Sequence, residues 1–277
     1  MLERLGIGTV QFGQVYGVSN ARGQVPPDDV AAILKRAHAA GIRLLDTAAN
    51  YGAAESVLAA QDTSGFRIVT KTIGFSNGLE RTIERAQQSA ELLENADTLL
   101  VHVADELRVL DGPRIWEALR KKTAFPKIGI SAYVGENPMR LASQFRPDVM
   151  QIPFSILDQR LLRDGSLAKM KELGVEIHAR SLFLQGLLLM ETPPPHLSGI
   201  ADHLTSLRTD LARSGTTPLA AALGFVLAQP DIDHAIIGVT SVAELDEILA
   251  AAEKPLPDLD WASYALKDER LLTPSLW

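Results

Sequence analysis

Residues 41–52 read GIRLLDTAANYG. Gly41 stops a helical pattern over Asp28–Ala40, which follows Pro26 and Pro27. Proline just inside a helix start and glycine just past its end are the residues local chemistry favours there. Ile42, Leu44 and Leu45 then make a short apolar run, which ends abruptly at Asp46. Tyr51 stands five residues further on, beside Gly52. Helix, buried strand and polar loop thus follow one another within one short stretch.

The same order recurs along the chain. Strand-like runs are predicted at Leu5–Thr9, Arg43–Asp46, Ile68–Lys71, Thr98–His102, Ile128–Ser131, Val149–Ile152, Glu176–Arg180 and Ala235–Gly238. They are short, apolar on both faces and often β-branched, as parallel strands covered by helices must be. Helical patterns separate them at Leu79–Leu93, Pro113–Lys122, Pro138–Phe145, Asp164–Leu173, Pro218–Ala228 and Val242–Ala252, with Gly174 closing the fourth of these six. Eight strands alternate with about eight helices, and no linker divides them. A chain of 277 residues with this pattern predicts an α/β fold, a (β/α)8 TIM barrel forming a single domain over residues 1–277. An open doubly wound sheet is the rival, and no Gly-rich GxGxxG turn supports it. Met190–Thr217, with Pro193, Pro194 and Pro195, reads as a long loop around residues 190–217 over the C-terminal face.

Composition narrows the function. Hydrophobic residues are 46% and charged residues 22%, which suits a globular chain large enough to bury its own core. Without cysteine there is no disulfide, thiolate nucleophile or Cys-ligated metal. That fits a reducing compartment, and with no signal peptide or long apolar run at MLERLGIGTV a cytoplasmic location is expected. Net charge is −7 and pI about 5.4, with no Lys/Arg cluster. Neither a nucleic-acid nor a membrane partner is expected.

In a barrel of this kind the chemistry sits at the C-terminal ends of the strands. There the sequence places Asp46 with Tyr51 in its loop, Lys71, His102, Ser131, Gln151 and Arg180. Each has a plain alternative. Asp46 can cap the next helix, Tyr51 can be a packed tyrosine, Lys71 a surface lysine and His102 a structural histidine. His38, His178, His196, His203 and His234 show no paired spacing for a metal, so no metal is expected. Jointly the first four are coherent. A lysine among apolar residues needs a counter-charge, which Asp46 can supply. A lysine cation beside a phenol favours its ionised form and prepares it to exchange a proton. An imidazole can polarise a carbonyl oxygen. The set suits protonation of a carbonyl oxygen and lacks an electron source, so a hydride donor is implied.

These segments resemble the aldo-keto reductase superfamily from Gly6 to about Glu253. GIGTVQFG is similar to its first strand. GIRLLDTAANYGAAESVL is similar to its signature, with Gly41, Asp46, Thr47, Ala48, Tyr51, Gly52 and Glu55 in register. VTKT, LLVHVADE, GISAYV, VMQIPFSILDQRLL, ARSLFLQGLLL and IIGVTSVAELDEIL follow in order. The resemblance implies a catalytic set of Asp46, Tyr51, Lys71 and His102, with Tyr51 as general acid, and NADPH or NADH as cofactor. It implies cofactor contacts at Gly8, Thr9, Asp46, Ser131, Gln151, Arg180, Ser181, Leu182, Gly186, Gly238, Thr240, Ser241 and Glu244. Arg180 stands where many members stack an aromatic ring on the nicotinamide, and Ala132 where many have asparagine. Thr240 replaces a common cation for the 2′-phosphate. Glu244 either faces the cofactor, disfavouring NADPH, or closes a capping box with Ser241. Phe12 and Tyr16 join Tyr51 and His102 as substrate contacts, and a small carbonyl compound, such as an aldehyde or sugar, is the expected partner of a monomer or weak homo-oligomer. Two other readings stay open: a non-catalytic nucleotide-binding protein on the same scaffold, and a Schiff-base aldolase using Lys71.

Overall fold

Eight parallel strands close on themselves in the order β1 to β8: Leu5–Gly8, Leu44–Asp46, Arg67–Lys71, Ala96–Val101, Lys127–Ser131, Val149–Pro153, Glu176–Arg180 and His234–Gly238. β8 pairs with β1 through Leu5↔Ala235 to Gly8↔Gly238, which completes the barrel. The structure is a computed structural model that describes residues 1–18 and 20–277. The barrel and its strand positions match the sequence reading to within a residue or two. β4 departs most, running from Ala96 to Val101 and leaving His102 just past its end.

The pleat sets what faces the barrel axis. Leu44, Val69, Leu100, Val149 and Ile236 form an apolar cluster of their own, apart from the large cluster between strands and helices. Side chains alternate faces along a strand, so residues two further on share the inward face. Two past these five stand Asp46, Lys71, His102, Gln151 and Gly238. Two before Val69 and Ile236 stand Arg67 and His234. The interior is therefore polar at the floor, apolar in the middle and polar at the mouth. Gly129 lets the middle layer close, since a Cβ there would lie 2.3 Å from the Val149 carbonyl oxygen.

Helices Pro27–Ala39, Leu79–Leu92, Gly112–Lys122, Pro138–Phe145, Pro218–Leu227 and Val242–Ala252 cover the outside, close to their predicted bounds. One helix is shorter than expected and one expectation needs correction. The helix predicted at Asp164–Leu173 runs over Ser166–Glu172, and a separate short helix at Arg160–Arg163 precedes it. Gly165 at φ 74° separates the two, and Asp164 turns its carboxylate to the Ser166 amide. Met190–Thr217 is not one long loop. A 3₁₀ segment at Pro195–Ile200 leads into an α-helix at Ala201–Arg213. Leu204, Leu207 and Leu211 bury one stripe of that helix. The three prolines lie ahead of it or at its 3₁₀ lead-in, where proline is tolerated.

Candidate active site

Asp46 is the hub of the mouth. Its Oδ2 accepts from Lys71 Nζ at 2.6 Å, and its Oδ1 accepts from Gln151 Nε2 at 2.6 Å. Lys71 also donates to the Thr47 carbonyl at 2.8 Å. Asp46 is 4% exposed and Lys71 is 1% exposed. The helix-cap reading of Asp46 and the surface reading of Lys71 therefore both fail, because both charges are spent on each other inside the barrel. Burial works to lower the Lys71 pKa, but the Asp46 carboxylate and the Tyr51 phenol outweigh it and the net direction is up. Lys71 stays a cation, which also disfavours the Schiff-base reading.

Tyr51 and His102 stand over this pair. Lys71 Nζ lies 4.9 Å from the Tyr51 ring centre, and the His102 ring meets Tyr51 edge-on at 5.7 Å. Burial, and then the Lys71 charge, hold the His102 pKa down at about 4. Its imidazole is neutral near pH 7, and its buried Nδ1 has no partner. The loop carrying Tyr51 is held by a close backbone crossing. Gly13 accepts from the Ala53 amide, and a Cβ at Gly13 would lie 1.8 Å from the Tyr51 carbonyl oxygen. The next helix, Ala54–Ala59, is pinned through buried Glu55, which accepts from Thr70 beside Lys71 and from Ser89.

The other predicted contacts divide. Ser131 donates to Gln151 Oε1 at 3.4 Å, so these two sit together next to Asp46. Gly238 is exposed at the rim, where a Cβ would lie 2.6 Å from Gln11 Nε2. Gln11 Oε1 and Thr240 Oγ1 are buried polar atoms without partners. After β7, Ser181, Leu184, Gln185 and Gly186 all have positive φ, at 61°, 47°, 55° and 95°. Such strain is retained where a loop is built to hold something. Taken together, Gly8, Ser181, Gly186 and Gly238, with the unpartnered Gln11 Oε1 and Thr240 Oγ1, suit a nucleotide laid across the β7, β8 and β1 rim. Leu182, 1% exposed, can offer its main chain alone.

Two expectations change, one open alternative closes and one cluster is new. Phe12 is 0% exposed in the core and cannot touch a substrate in this arrangement. It lies on a short helix, Val10–Gly13, whose apolar side faces inward. Thr9 is also 0% exposed, and its hydroxyl donates to the Asp46 carbonyl, tying β1 to β2. Glu244 turns back on the helix start: Ser241 Oγ caps by accepting from the Glu244 amide at 3.1 Å, while the Glu244 carboxylate accepts at 2.6 Å from the amide of Thr240, one residue before the cap. Its charge is turned to the backbone. His178 and His234, which show no paired spacing in the sequence, meet Glu176 at the floor, with ligand-type atoms of all three within 4.8 Å. Arg67 and Lys127 already donate to that carboxylate at 2.9 and 2.7 Å, so its charge is compensated.

Tyr16 is 38% exposed at the mouth. Burial raises its phenol pKa; Tyr51 and Tyr133 add to this while Arg180 opposes it, so these four share one neighbourhood. Tyr133 was missed from the sequence, although it stands two residues past Ser131 in GISAY. A cavity of about 670 Å³ between the helices at residues 79–92 and 112–122 shares no residue with this mouth.

The aldo/keto reductase family model matches residues 4–268. An aldo-keto reductase of Mycobacterium sp. (strain JLS) is 31% identical over 191 residues, covering 65% of this chain and 67% of that protein. L-galactose dehydrogenase of Arabidopsis thaliana is 23% identical over 278 residues, covering 90% and 84%. Among solved structures, an aldo-keto reductase from Bacillus halodurans in its holo form superposes with a TM-score of 0.73 at 20% identity. That match covers 99% of this chain and 93% of the other and speaks for the barrel alone. The chain belongs to the aldo/keto reductase family.

Proposed function

We propose that the protein interconverts an aldehyde or ketone and its alcohol with Tyr51 as general acid and base. Family membership makes it an oxidoreductase of carbonyl compounds that uses a nicotinamide nucleotide. The observation that carries the finer reading is the buried Lys71–Asp46 pair beneath Tyr51 and beside a neutral imidazole. NADPH or NADH supplies the hydride when bound. Ser131 and Gln151 would hold its carboxamide end, and the rim from Gly186 to Thr240 its phosphates and adenosine.

The chain's own part is proton handling. A carbonyl oxygen seated between Tyr51 and His102 gains negative charge as the carbon is reduced. The phenol gives its proton to that oxygen. The Lys71 cation favours the phenolate left behind, and Asp46 keeps that cation in place. His102, being neutral, offers an N–H to the same oxygen. In alcohol oxidation the proton moves the other way. Tyr51 is half-buried, so solvent can restore its proton. All these groups come from one barrel, so a monomer or weak homo-oligomer suffices. Among the described residues no helix is long and apolar enough to cross a membrane.

Tyr51→Phe tests the reading. Turnover should fall by about 10²- to 10⁴-fold, the usual range for a positioned acid. NADPH and NADH affinities should stay within a few fold, because the phenol acts mainly in the transition state. Full activity in that variant would remove Tyr51 from the mechanism.

A further inference from the structure

Arg180 is the last residue of β7 and half-buried at the mouth. Part-buried Arg4 and Arg208 donate to backbone carbonyls, and part-buried Arg36, Arg67, Arg85 and Arg160 each face a carboxylate, of Asp246, Glu176, Glu55 and Asp158. Arg180 has no such partner among the described residues. It donates to Ser181 Oγ at 3.3 Å and stacks its guanidinium over the Tyr133 ring at 4.2 Å. Glu136, on the same loop as Tyr133, is spent on the amides of Tyr133 and Asp105.

Stacking on a phenol fixes the plane of a guanidinium and leaves its N–H edges free. Those edges match the two oxygens of a carboxylate. Arg180 ends β7 and its guanidinium reaches the Tyr133 ring past the end of β5, so the cation lies at the mouth. Its field reaches both His102 and Tyr16. Within the mouth, Lys71 and Asp46 neutralise each other and His102 is neutral. Among the described residues at the mouth, Arg180 is thus a cation that no carboxylate faces.

We infer that the carbonyl substrate carries a carboxylate, which Arg180 grips in the plane set by Tyr133. This rests on the reductase reading and names its substrate class as an oxo acid or aldehyde acid. A nucleotide phosphate is the other source of an anion here, so the test must separate the two. Succinic semialdehyde and butanal differ by the carboxylate and share the aldehyde. The ratio of their kcat/KM values should exceed tenfold in the wild type and fall by about 10- to 100-fold in Arg180→Met, whatever happens to both rates in common. Calorimetric binding of succinate, with oxidised nucleotide saturating, should weaken in parallel. Arg180→Lys keeps the charge and loses the fork, and should fall between, which separates loss of grip from misfolding. An unchanged ratio, or a loss confined to nucleotide affinity, overturns the inference. If neither aldehyde reacts while succinate binding still depends on Arg180, the anion site stands and the reductase reading falls.

Discussion

The buried pair at the base of the mouth makes a quantitative claim. Lys71 and Asp46 are 1% and 4% exposed and 2.6 Å apart. Removing one member strands the other charge where water cannot reach it, which costs about 3–5 kcal/mol. Lys71→Met leaves Asp46 with Gln151 as its remaining side-chain donor. Asp46→Asn leaves Lys71 with the Thr47 carbonyl, and burial then pushes its pKa down against Tyr51 alone. Each single variant should lower Tm by roughly 6–10 °C at about 2 °C per kcal/mol for a chain of this size. The double variant Asp46→Asn with Lys71→Met leaves no stranded charge and should be more stable than either single. A double-mutant cycle in urea should therefore show a coupling of about 2 kcal/mol or more. Turnover should be low in all three, since Tyr51 loses its cation in each. Single costs under about 1 kcal/mol, adding simply in the double, would mean the pair is solvated and cannot tune Tyr51.

Three further outcomes are expected. Gly13→Ala should cut kcat along with Tm, because its Cβ would meet the Tyr51 carbonyl at 1.8 Å, whereas Gly199→Ala, with nothing within 4 Å, should leave both unchanged; equal effects would show the crossing does not position Tyr51. His102 and His234 have folded pKa values held down to about 4, from 6.5. The unfolded chain takes up protons below pH 6.5 and the folded chain does not, so stability rises with pH between about 4 and 6.5, by at most about 3 kcal/mol per group. Urea midpoints should fall across that window on acidification, and a flat profile would contradict the neutral imidazoles. Glu176→Gln should lower unfolding stability through the floor network, by about 1–3 kcal/mol given partners that are part-exposed, and leave kcat/KM unchanged at equal folded fraction; lost activity there would put chemistry at the wrong end of the barrel.

Much of this was legible before any coordinates, and the reason is parity. A strand that buries Leu44 or Val69 toward the axis must also point Asp46 or Lys71 there, so strand-end residues declare themselves locally. Asp46, Lys71 and His102 can be picked out for that reason, and Tyr51 by standing in the loop that follows Asp46. What could not be read depends on closure or on crossing backbones. Phe12 sits in a segment resembling the mouth, yet one turn of helix rotates it into the core. Gly13 matters through a carbonyl that is 38 residues away in sequence. Glu176, His178 and His234 have no telling spacing and meet across β7 and β8 after the barrel closes. The helix at Ala201–Arg213 was readable from Leu204, Leu207 and Leu211, and the preceding proline run masked it. Tyr133 lay in a quoted motif, but its role comes from Arg180, which arrives from a different strand.

Both ends of the barrel bury charge, and the contrast between them indicates which end reacts. At the floor, Glu176 Oε1 takes Arg67 and His178, and Oε2 takes Lys127. The Leu2–Arg4 turn lies against the β8 side there, with Arg4 donating to the carbonyls of Leu227, Gln229 and Ile232. Each cation has its acceptors, so the floor can gain little by admitting a molecule. At the mouth, Asp46 and Lys71 are just as fully spent on each other, but Tyr51, His102 and Arg180 around them have no carboxylate. A satisfied pair therefore supports three groups that no carboxylate holds among the described residues, with Lys71 set beside Tyr51. That is a preorganised site: the costly buried charges are settled in advance, and the groups that meet a substrate need not abandon another partner to do so.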